Sequence, residues 1–501
     1  MRAKNIKYLV TIGAIVFSLS ACEKTFDPST AIDENSALTT AADIETATIG
    51  TYAVLRNPLY VRSLHFLMEL PGDELAQGQN SSDDLSRCYR YTHLTTGRHA
   101  ADFWGQAYKV AAAANKVIAA IPDNATADLK QLKGENLYLR AMVHFNLVRV
   151  FGRPYTQGET NLGVPILKDG LTEEETLTLA RSTVKEVYDF VIADLEKAAN
   201  FMNGGEAGKA NPFASKEVAQ ALLSRVYLYK GDNQNAIKYA DLVINSGRYE
   251  LLQGSEYQNY FKGAPEGNKE TIFCIRHMKT QDQGWSGLGS MYYSGDANGN
   301  AQNQAFSGWG EIYASKKYVN KLAENPGDRR NSFIVPYTVN GVLQTNKKVT
   351  PNVPMNYMIK YNLQENLVNL SSPVYLRLAE IYLNRAEANA KLGNAQAALD
   401  DVNIIRTRAG IPGHTLASVA TSGKTILDVV LDERWLELAF EGHRHYDLFR
   451  NNLPMIRNYP GTHSLDAGGN INQTVEPSAN RVVFFIPQTE IDKNKKLIQN
   501  P

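Results

Sequence analysis

The sequence predicts a mostly α-helical protein in which helical pairs form a tetratricopeptide-like scaffold, with long irregular loops and a few short strands. Two segments, LLSRVYLYKGDNQNAIKYADLVI and YLNRAEANAKLGNAQAALDDVNII, carry the pattern of such pairs. In each segment a Gly is followed five residues later by an Ala, at Gly231 and Ala236 and at Gly393 and Ala398. The Gly ends one helix in a left-handed conformation, and the small Ala lets the next helix approach closely. About 160 residues separate the two units, so the fold has to bring them together.

Residues 253–372 form a contrasting, loop-rich part of the chain. They are rich in Gly, Asn, Ser and Gln and have little helical periodicity. Long loops in a compact protein tend to carry function, so we expect the ligand-binding part here. We predict a single body over 37–501, in which the helical scaffold covers 37–252 and 373–450 and a C-terminal segment covers 451–501.

Residues typical of helix ends bound the periodic blocks. Pro122 follows one block, Gly152 ends another, and Thr183 with Glu186 matches a capping box. Apolar residues at helical spacing predict helices over Phe103–Ile121, Leu132–Phe151, Ser182–Met202, Ser215–Lys230, Asn233–Asn245, Val374–Leu392, Ala395–Arg408 and Thr425–Phe440. Short apolar runs predict strands at Thr271–Ile275 and Arg481–Pro487.

Composition excludes two broad classes of protein. The 501 residues include 52 basic and 52 acidic side chains, so the formal charge is zero and there is no basic excess for binding nucleic acid. A content of 43% hydrophobic and 21% charged residues is typical of a globular protein and excludes disorder as the main state. Since single cores stop growing near ~250–300 residues, this length indicates several packed units or an extended repeat body.

The N-terminus has the order of a lipoprotein signal peptide. Arg2, Lys4 and Lys7 precede the apolar run Tyr8–Phe17, which is shorter than the ~20 residues of a transmembrane helix. Small residues then precede Cys22, as in a lipobox, where the Cys is lipidated and becomes the first residue. The alternative is an ordinary signal peptide that happens to contain a Cys.

We therefore predict a signal peptide over 1–21 and a lipidated Cys22 that opens a polar tether over 22–36. Acyl chains on this Cys would anchor the protein to a membrane without crossing it, because each buried CH₂ contributes ~0.8 kcal/mol.

The segment from Glu433 to Asp447 contains the residue types used in acid–base catalysis. It matches no catalytic motif, and the sequence has no HExxH, Walker loop or GxGxxG. Buried charges persist when they are paired. We therefore predict that Arg434, Arg444 and nearby carboxylates form an internal ion-pair network that holds the last helix on the scaffold.

Five ordered segments of the chain resemble the SusD/RagB family of outer-membrane nutrient-binding lipoproteins. They are ENLYLRAMVHFNLVRVFGRPY, KEVAQALLSRVYLYKGDNQNAIKYADLVINSGRYEL, YLRLAEIYLNRAEANAKLG with DDVNIIRTRAGI, LDERWLELAFEGHRHYDLFR, and IPQTEIDKNKKLIQNP. With the lipobox they extend over nearly the whole mature chain. One departure is His445, which stands where the family often has an aromatic residue such as Trp.

The resemblance implies a binding protein that is not an enzyme. Such proteins sit on the cell surface, at the outer membrane, as lids on SusC-like TonB-dependent transporters, to which they pass captured glycans or, in some members, peptides. We expect an oligosaccharide ligand bound by the loops and a transporter bound by the helical scaffold. A peptide-capturing member would show a deep cleft with few exposed aromatics, and a surface glycoside hydrolase would turn its glycan over.

The family's ligand site lies in regions that correspond here to the long loops and to an earlier loop. Sugar rings present an apolar C–H face that stacks on aromatic rings, while carboxylates and amides bind their hydroxyls. The ligand-binding residues predicted from the two regions are Asp73, Tyr89, Tyr91, Trp285, Tyr292, Tyr293 and Trp309. For each aromatic the alternative is packing within the loop. Asn298, Asn300 and Asn303 are further amide candidates, with turn formation beside Gly as the alternative.

The cysteines and histidines indicate no cofactor. Cys88 and Cys274 either pair or remain thiols, and the sequence favours neither. The nine His show no metal-ligand spacing. A structural Ca²⁺ on loop carboxylates has no motif to support it, so we predict no cofactor.

Overall fold

The computed structural model describes residues 38–78, 83–203, 211–293, 308–339, 341–463 and 472–501. The predicted signal peptide, Cys22, the tether, and Asn298, Asn300 and Asn303 lie outside the described residues. Within the described ranges, no helix combines the length and the hydropathy needed to cross a bilayer.

Helices dominate the chain on both sides of a central irregular part, which confirms the mostly helical prediction. Before this part lie α1 (Ala41–Leu55), α2 (Pro58–Glu69), α3 (Asp83–Arg90), α4 (Arg98–Ala120), α5 (Ala127–Phe151), α6 (Glu173–Leu177), α7 (Val184–Phe201), α8 (Lys216–Lys230) and α9 (Asn233–Ile244). Within it lie α10 (Gly254–Gln258), α11 (Gly289–Tyr292) and α12 (Lys316–Ala323). After it lie α13 (Leu378–Lys391), α14 (Ala395–Ala409), α15 (Leu416–Ser422), α16 (Ile426–Leu438), α17 (Arg444–Arg450) and α18 (Gln488–Lys493).

The strands are short and lie mainly in the central part. They are β1 (Leu75–Gln77), β2 (Thr271–Cys274), β3 (Ile312–Ala314), β4 (Ile334–Pro336), β5 (Thr338–Val339), β6 (Val342–Leu343), β7 (Thr345–Asn346), β8 (Val353–Pro354), β9 (Asn356–Met358), β10 (Val374–Arg377), β11 (Met455–Arg457) and β12 (Gln473–Val475). Among the described residues they form two-stranded antiparallel ladders, β1–β3, β2–β10, β4–β9, β5–β6, β7–β8 and β11–β12.

The two distant helical pairs stack directly on each other, as the sequence requires. Helix α9 packs on α13, so α8–α9 and α13–α14 form one continuous layer. Gly231 caps α8 with φ of 84°, and Ala236 in the next helix is fully buried. The buried Arg225 of α8 donates from Nε and Nη2 to the Glu380 carboxylate of α13, both at 2.6 Å. Charge pairing therefore joins the units that the sequence places far apart.

The predicted ion-pair network around the last helices is confirmed. Arg434 Nε lies 3.0 Å from Asp447 Oδ2 and 3.3 Å from Glu387 Oε2, and all three side chains are buried. Arg450 binds the same two carboxylates at 2.5 and 2.7 Å. This network links α17 and α16 to α13.

Two secondary-structure predictions are wrong. The predicted helix over Val374–Leu392 begins only at Leu378, because Val374–Arg377 is strand β10, paired with β2. The segment Arg481–Pro487 forms no ladder, since its Phe484 N–H donates to the Val150 carbonyl at the end of a helix, at 3.0 Å.

Hydrophobic side chains form a large core among the helices and a smaller one under the central part. The smaller core includes Tyr293, Tyr313 and Tyr357. It supports the irregular segments that carry the candidate site described next.

Candidate functional site

Two of the four tryptophans form an exposed pair on the central part of the molecule. The exposed fractions of Trp285 and Trp309 are 41% and 54%, whereas Trp104 and Trp435 are buried. The centroids of the exposed rings lie 5.1 Å apart, and their planes meet at 73°. Large apolar rings exposed side by side mark a contact surface for a ligand or partner.

The backbone carbonyl of Trp285 accepts two hydrogen bonds that fix the pair. The indole N–H of Trp309 donates to the Trp285 carbonyl at 3.2 Å, and Ser290 Oγ donates to the same oxygen at 2.8 Å. Because this bond occupies the single polar atom of the Trp309 side chain, the ring offers a ligand its apolar faces.

Two glycines let the segments that carry the pair come together. A Cβ at Gly308 would overlap the carbonyl oxygens of Tyr293 and Ser290, and one at Gly289 would overlap the Tyr361 carbonyl. The N–H of Gly310 also donates to Ser290 O, at 2.9 Å. Close backbone packing therefore fixes the positions of both tryptophans.

A small groove adjoins the Trp285 segment. Its polar lining residues include Arg62, Asp282, Gln283 and Asn369. Arg62 Nη1 donates to the carbonyls of Trp285 and Ser286, at 3.4 and 3.3 Å. The side-chain oxygen of Asn369 is buried and accepts no hydrogen bond. The site thus combines apolar ring faces with amide, carboxylate and guanidinium groups.

The sequence missed Arg62 and Asn369 as parts of this site. Arg62 belongs to α2, a helix that the apolar pattern did not reveal. Asn369 has no local motif, and only the fold brings it to the groove.

The two tyrosines predicted from the long loops are buried in this structure, unlike the two tryptophans. Tyr292 is fully buried, and its hydroxyl lies 2.5 Å from His65 Nε2. Tyr293 packs against Tyr357, with ring centroids 5.9 Å apart. Neither ring has a face open to a ligand in this structure, because α11 turns both toward the cores.

The predicted residues of the earlier loop are also buried. Tyr89 lies under the guanidinium of Arg457, whose Cζ is 4.0 Å from the ring centroid. The hydroxyl of Tyr91 donates to the Pro71 carbonyl at 2.7 Å. These rings join the loop to the C-terminal segment and form no common surface with the exposed pair.

Asp73 is a structural ion-pair residue in this structure. Its carboxylate binds Arg444 Nε at 2.7 Å and Lys317 Nζ at 2.5 Å, with no exposed surface. Burial raises the pKa of Asp73, but the two cations outweigh that effect and lower the pKa to about 2. With no exposed surface, the carboxylate is out of reach of a sugar hydroxyl in this structure.

Cys88 and Cys274 are buried free thiols, which decides the alternative that the sequence left open. Burial raises the pKa of each thiol. In the part of the chain that the structure describes, no group of three or more His, Cys, Asp and Glu side chains is arranged to hold a metal ion.

Comparison with known proteins relates this chain to the SusD family of binding proteins. The chain matches the model of the SusD family over residues 334–501 and a SusD-like model described as "Starch-binding associating with outer membrane" over residues 28–228. It is 26% identical to SusD-like protein P2 of Formosa agariphila, over 99% of both chains.

Solved structures agree with this assignment. A SusD superfamily protein from Bacteroides thetaiotaomicron superposes with a TM-score of 0.79 and 29% identity, covering 92% of this chain and 99% of that one. A putative sugar binding protein from Bacteroides vulgatus gives a TM-score of 0.75 and 26% identity, covering 93% and 99%. The mostly helical fold is thus shared with these proteins. The chain belongs to the SusD/RagB family.

Proposed function

We propose that this protein is a cell-surface, lipid-anchored outer-membrane protein that binds a glycan and delivers it to a SusC-like TonB-dependent transporter. The observation that carries the proposal is the exposed pair of Trp285 and Trp309 beside a polar groove.

The chemistry of the pair suits an oligosaccharide. The C–H face of a sugar ring buries apolar area against an indole, and ~25 cal/mol is gained per Å² removed from water. Two rings at 73° give two non-parallel faces, which fits consecutive sugars that are rotated about a glycosidic bond. Arg62, Gln283 and Asn369 line the neighbouring groove, where they serve the sugar hydroxyls.

The relatives support the same class of ligand. The family model over residues 28–228 is described as starch-binding and associated with the outer membrane, and the Bacteroides vulgatus structure is described as a putative sugar binding protein. The lipobox at Cys22 supports the lipid anchor, and the family resemblance supports the transporter.

The same features weigh against the two alternatives. A peptide-capturing member is expected to have few exposed aromatics, but here the rings of Trp285 and Trp309 are both exposed. A glycoside hydrolase of the usual kind needs two carboxylates at the ligand. The described residues that line the groove include one, Asp282, while Glu433, Glu437 and Asp447 are engaged by buried arginines.

Calorimetric titration of residues 23–501 against a panel of oligosaccharides tests the proposal. We expect saturable heat with one linkage class and no product. Trp285→Ala and Trp309→Ala should each weaken binding at least about tenfold, which is ~1.4 kcal/mol. Leu416→Ala, which removes another exposed apolar side chain, should leave the affinity unchanged. Saturable binding of peptides alone, or release of cleaved glycan, would contradict the proposal.

A further inference from the structure

Arg149, in the last turn of α5, is a buried cation without a carboxylate partner among the described residues. Its exposed fraction is 5%, and its Nη2 donates to Asn146 Oδ1 at 2.5 Å. The other two guanidinium nitrogens, Nε and Nη1, are buried and have no hydrogen-bond partner. An unpaired buried charge is among the most unfavourable features in a protein interior.

The charges around Arg149 do not compensate it. Arg225 is neutralised by Glu380, while Arg434, Arg450 and Lys391 share only Glu387 and Asp447. Together with Arg149, these neighbours comprise five cations and three carboxylates, an excess of two positive charges. Since Arg225, Arg434 and Arg450 each bind a carboxylate, Arg149 is the member of this buried group of arginines that has no counter-charge among the described residues.

Aromatic rings account for part of the stabilisation of this cation. The Cζ of Arg149 lies 4.9 Å from the Phe145 ring centroid, 5.0 Å from that of Tyr446 and 5.7 Å from that of Tyr229. The electron-rich face of each ring attracts the cation and offsets part of the cost of burying it. The contacts supply no acceptor for Nε–H and Nη1–H.

Arg149 lines a cavity that also contains two unpartnered phenol hydroxyls. The cavity offers about 20 Å³ to the centre of a water-sized atom, which is room for about one such atom, and it lies between α5, α8 and α17. The hydroxyls of Tyr229 and Tyr446, which line it, are buried and have no hydrogen-bond partner. Arg153, at the turn after Gly152, adds a further positive charge to the lining. The unused groups of the cavity are thus guanidinium N–H and phenol O–H donors, and its charge is positive.

We propose that this cavity binds a single halide ion, held by the Arg149 guanidinium and the hydroxyls of Tyr229 and Tyr446. Charge-assisted hydrogen bonds from these donors are the interactions that such an anion prefers. The bound anion would supply the missing counter-charge and join three helices of the scaffold. This site is separate from the tryptophan pair and does not depend on the glycan-binding function.

Crystals of the purified protein grown in sodium bromide test the site without any mutation. We expect an anomalous bromide peak in the cavity, within hydrogen-bonding distance of Arg149 and the two phenol oxygens. In a second crystal grown in sodium phosphate without halide, we expect only water there, because the space is too small for a tetrahedral oxyanion. Density typical of water in the bromide crystal would overturn the proposal.

Thermal unfolding at fixed ionic strength gives an independent test, with bromide replacing methanesulfonate. An anion that binds only the folded state raises Tm with its concentration. We expect this rise in the wild type and in Arg98→Met, a variant at an exposed arginine, and at least a tenfold weaker apparent affinity in Tyr446→Phe. Arg149→Met, which keeps the volume and removes the donors, should lose the response. An equal response in Tyr446→Phe and the wild type, or none in the wild type, would contradict the proposal.

Discussion

Arg225 and Glu380 show how single charged residues specify the scaffold. Both are almost completely buried, and two hydrogen bonds of 2.6 Å join them across helices that are 155 positions apart in the chain. Neither side chain is solvated, so each depends on the other to compensate for lost hydration.

Replacing Arg225 by Met should lower the free energy of unfolding by ~3–5 kcal/mol, because Glu380 is left charged and buried. Urea denaturation measures this change. The double variant Arg225→Met with Glu380→Leu should recover most of the loss, since no buried charge remains. Lys185→Met, at the exposed pair with Asp189, should cost ~0.5 kcal/mol or less. A double variant no more stable than Arg225→Met would show that packing, and not charge, dominates.

The raised pKa of the buried Glu74 carboxyl should make the stability of the fold depend on pH near neutrality. Burial, and then the negative charge of Asp73, raise the pKa of Glu74 to about 7, against an ordinary value near 4.5. The folded state therefore holds a proton between pH 4.5 and 7 that the unfolded state releases, so this group's stabilising contribution is lost as pH rises through 7.

We expect Glu74→Gln to reduce the loss of stability between pH 5 and pH 8 relative to the wild type. Urea denaturation at the two pH values measures it, with Glu250→Gln, at an exposed carboxylate, as the control. Equal pH dependences in the wild type and Glu74→Gln would be the contrary result.

At the scale of elements, local capping signals define helices that the apolar pattern does not. Helix α1 begins at a capping box between Thr40 and Asp43, and α2 begins with Asn57 followed by Pro58 at its first position. Both signals are readable in the sequence, yet α1 contains many Ala and Thr and lacks a clear apolar face. Strand β10 could not be predicted this way, because its pairing with β2 is a long-range contact.

The capping box of α7 gives a prediction at this scale. Thr183 accepts from the Glu186 N–H at 3.2 Å, and the Glu186 carboxylate accepts from the Thr183 N–H at 2.7 Å. Because α7 packs on α5 and α8, Thr183→Ala should lower the free energy of unfolding by ~1 kcal/mol in urea denaturation.

Thr172→Ala is the matched control for this prediction. It removes the same type of box from α6, a five-residue helix with no buried residue. We expect only local fraying there, with an unchanged global transition. A larger global effect of Thr172→Ala than of Thr183→Ala would contradict this account.

At the scale of the molecule, the sequence predicts the scaffold better than the site. Helix periodicity and the Gly–Ala spacing identify the pairs around Gly231 and Gly393, because both signals are local. Exposure is a tertiary property, so the aromatic residues of one loop divide into exposed Trp285 and Trp309 and buried Tyr292 and Tyr293. The sequence provides the residue types for glycan binding, and packing decides which of them a ligand can reach.

The most direct test of the central claim is quenching of intrinsic fluorescence by acrylamide. Since Trp104 and Trp435 are buried, quenching reports mainly on Trp285 and Trp309. With the oligosaccharide that gives saturable heat, we predict that saturation protects the exposed pair and lowers the quenching constant toward that of the Trp285→Ala, Trp309→Ala double variant. An unchanged quenching constant at saturation would show that the glycan binds elsewhere and would contradict the account.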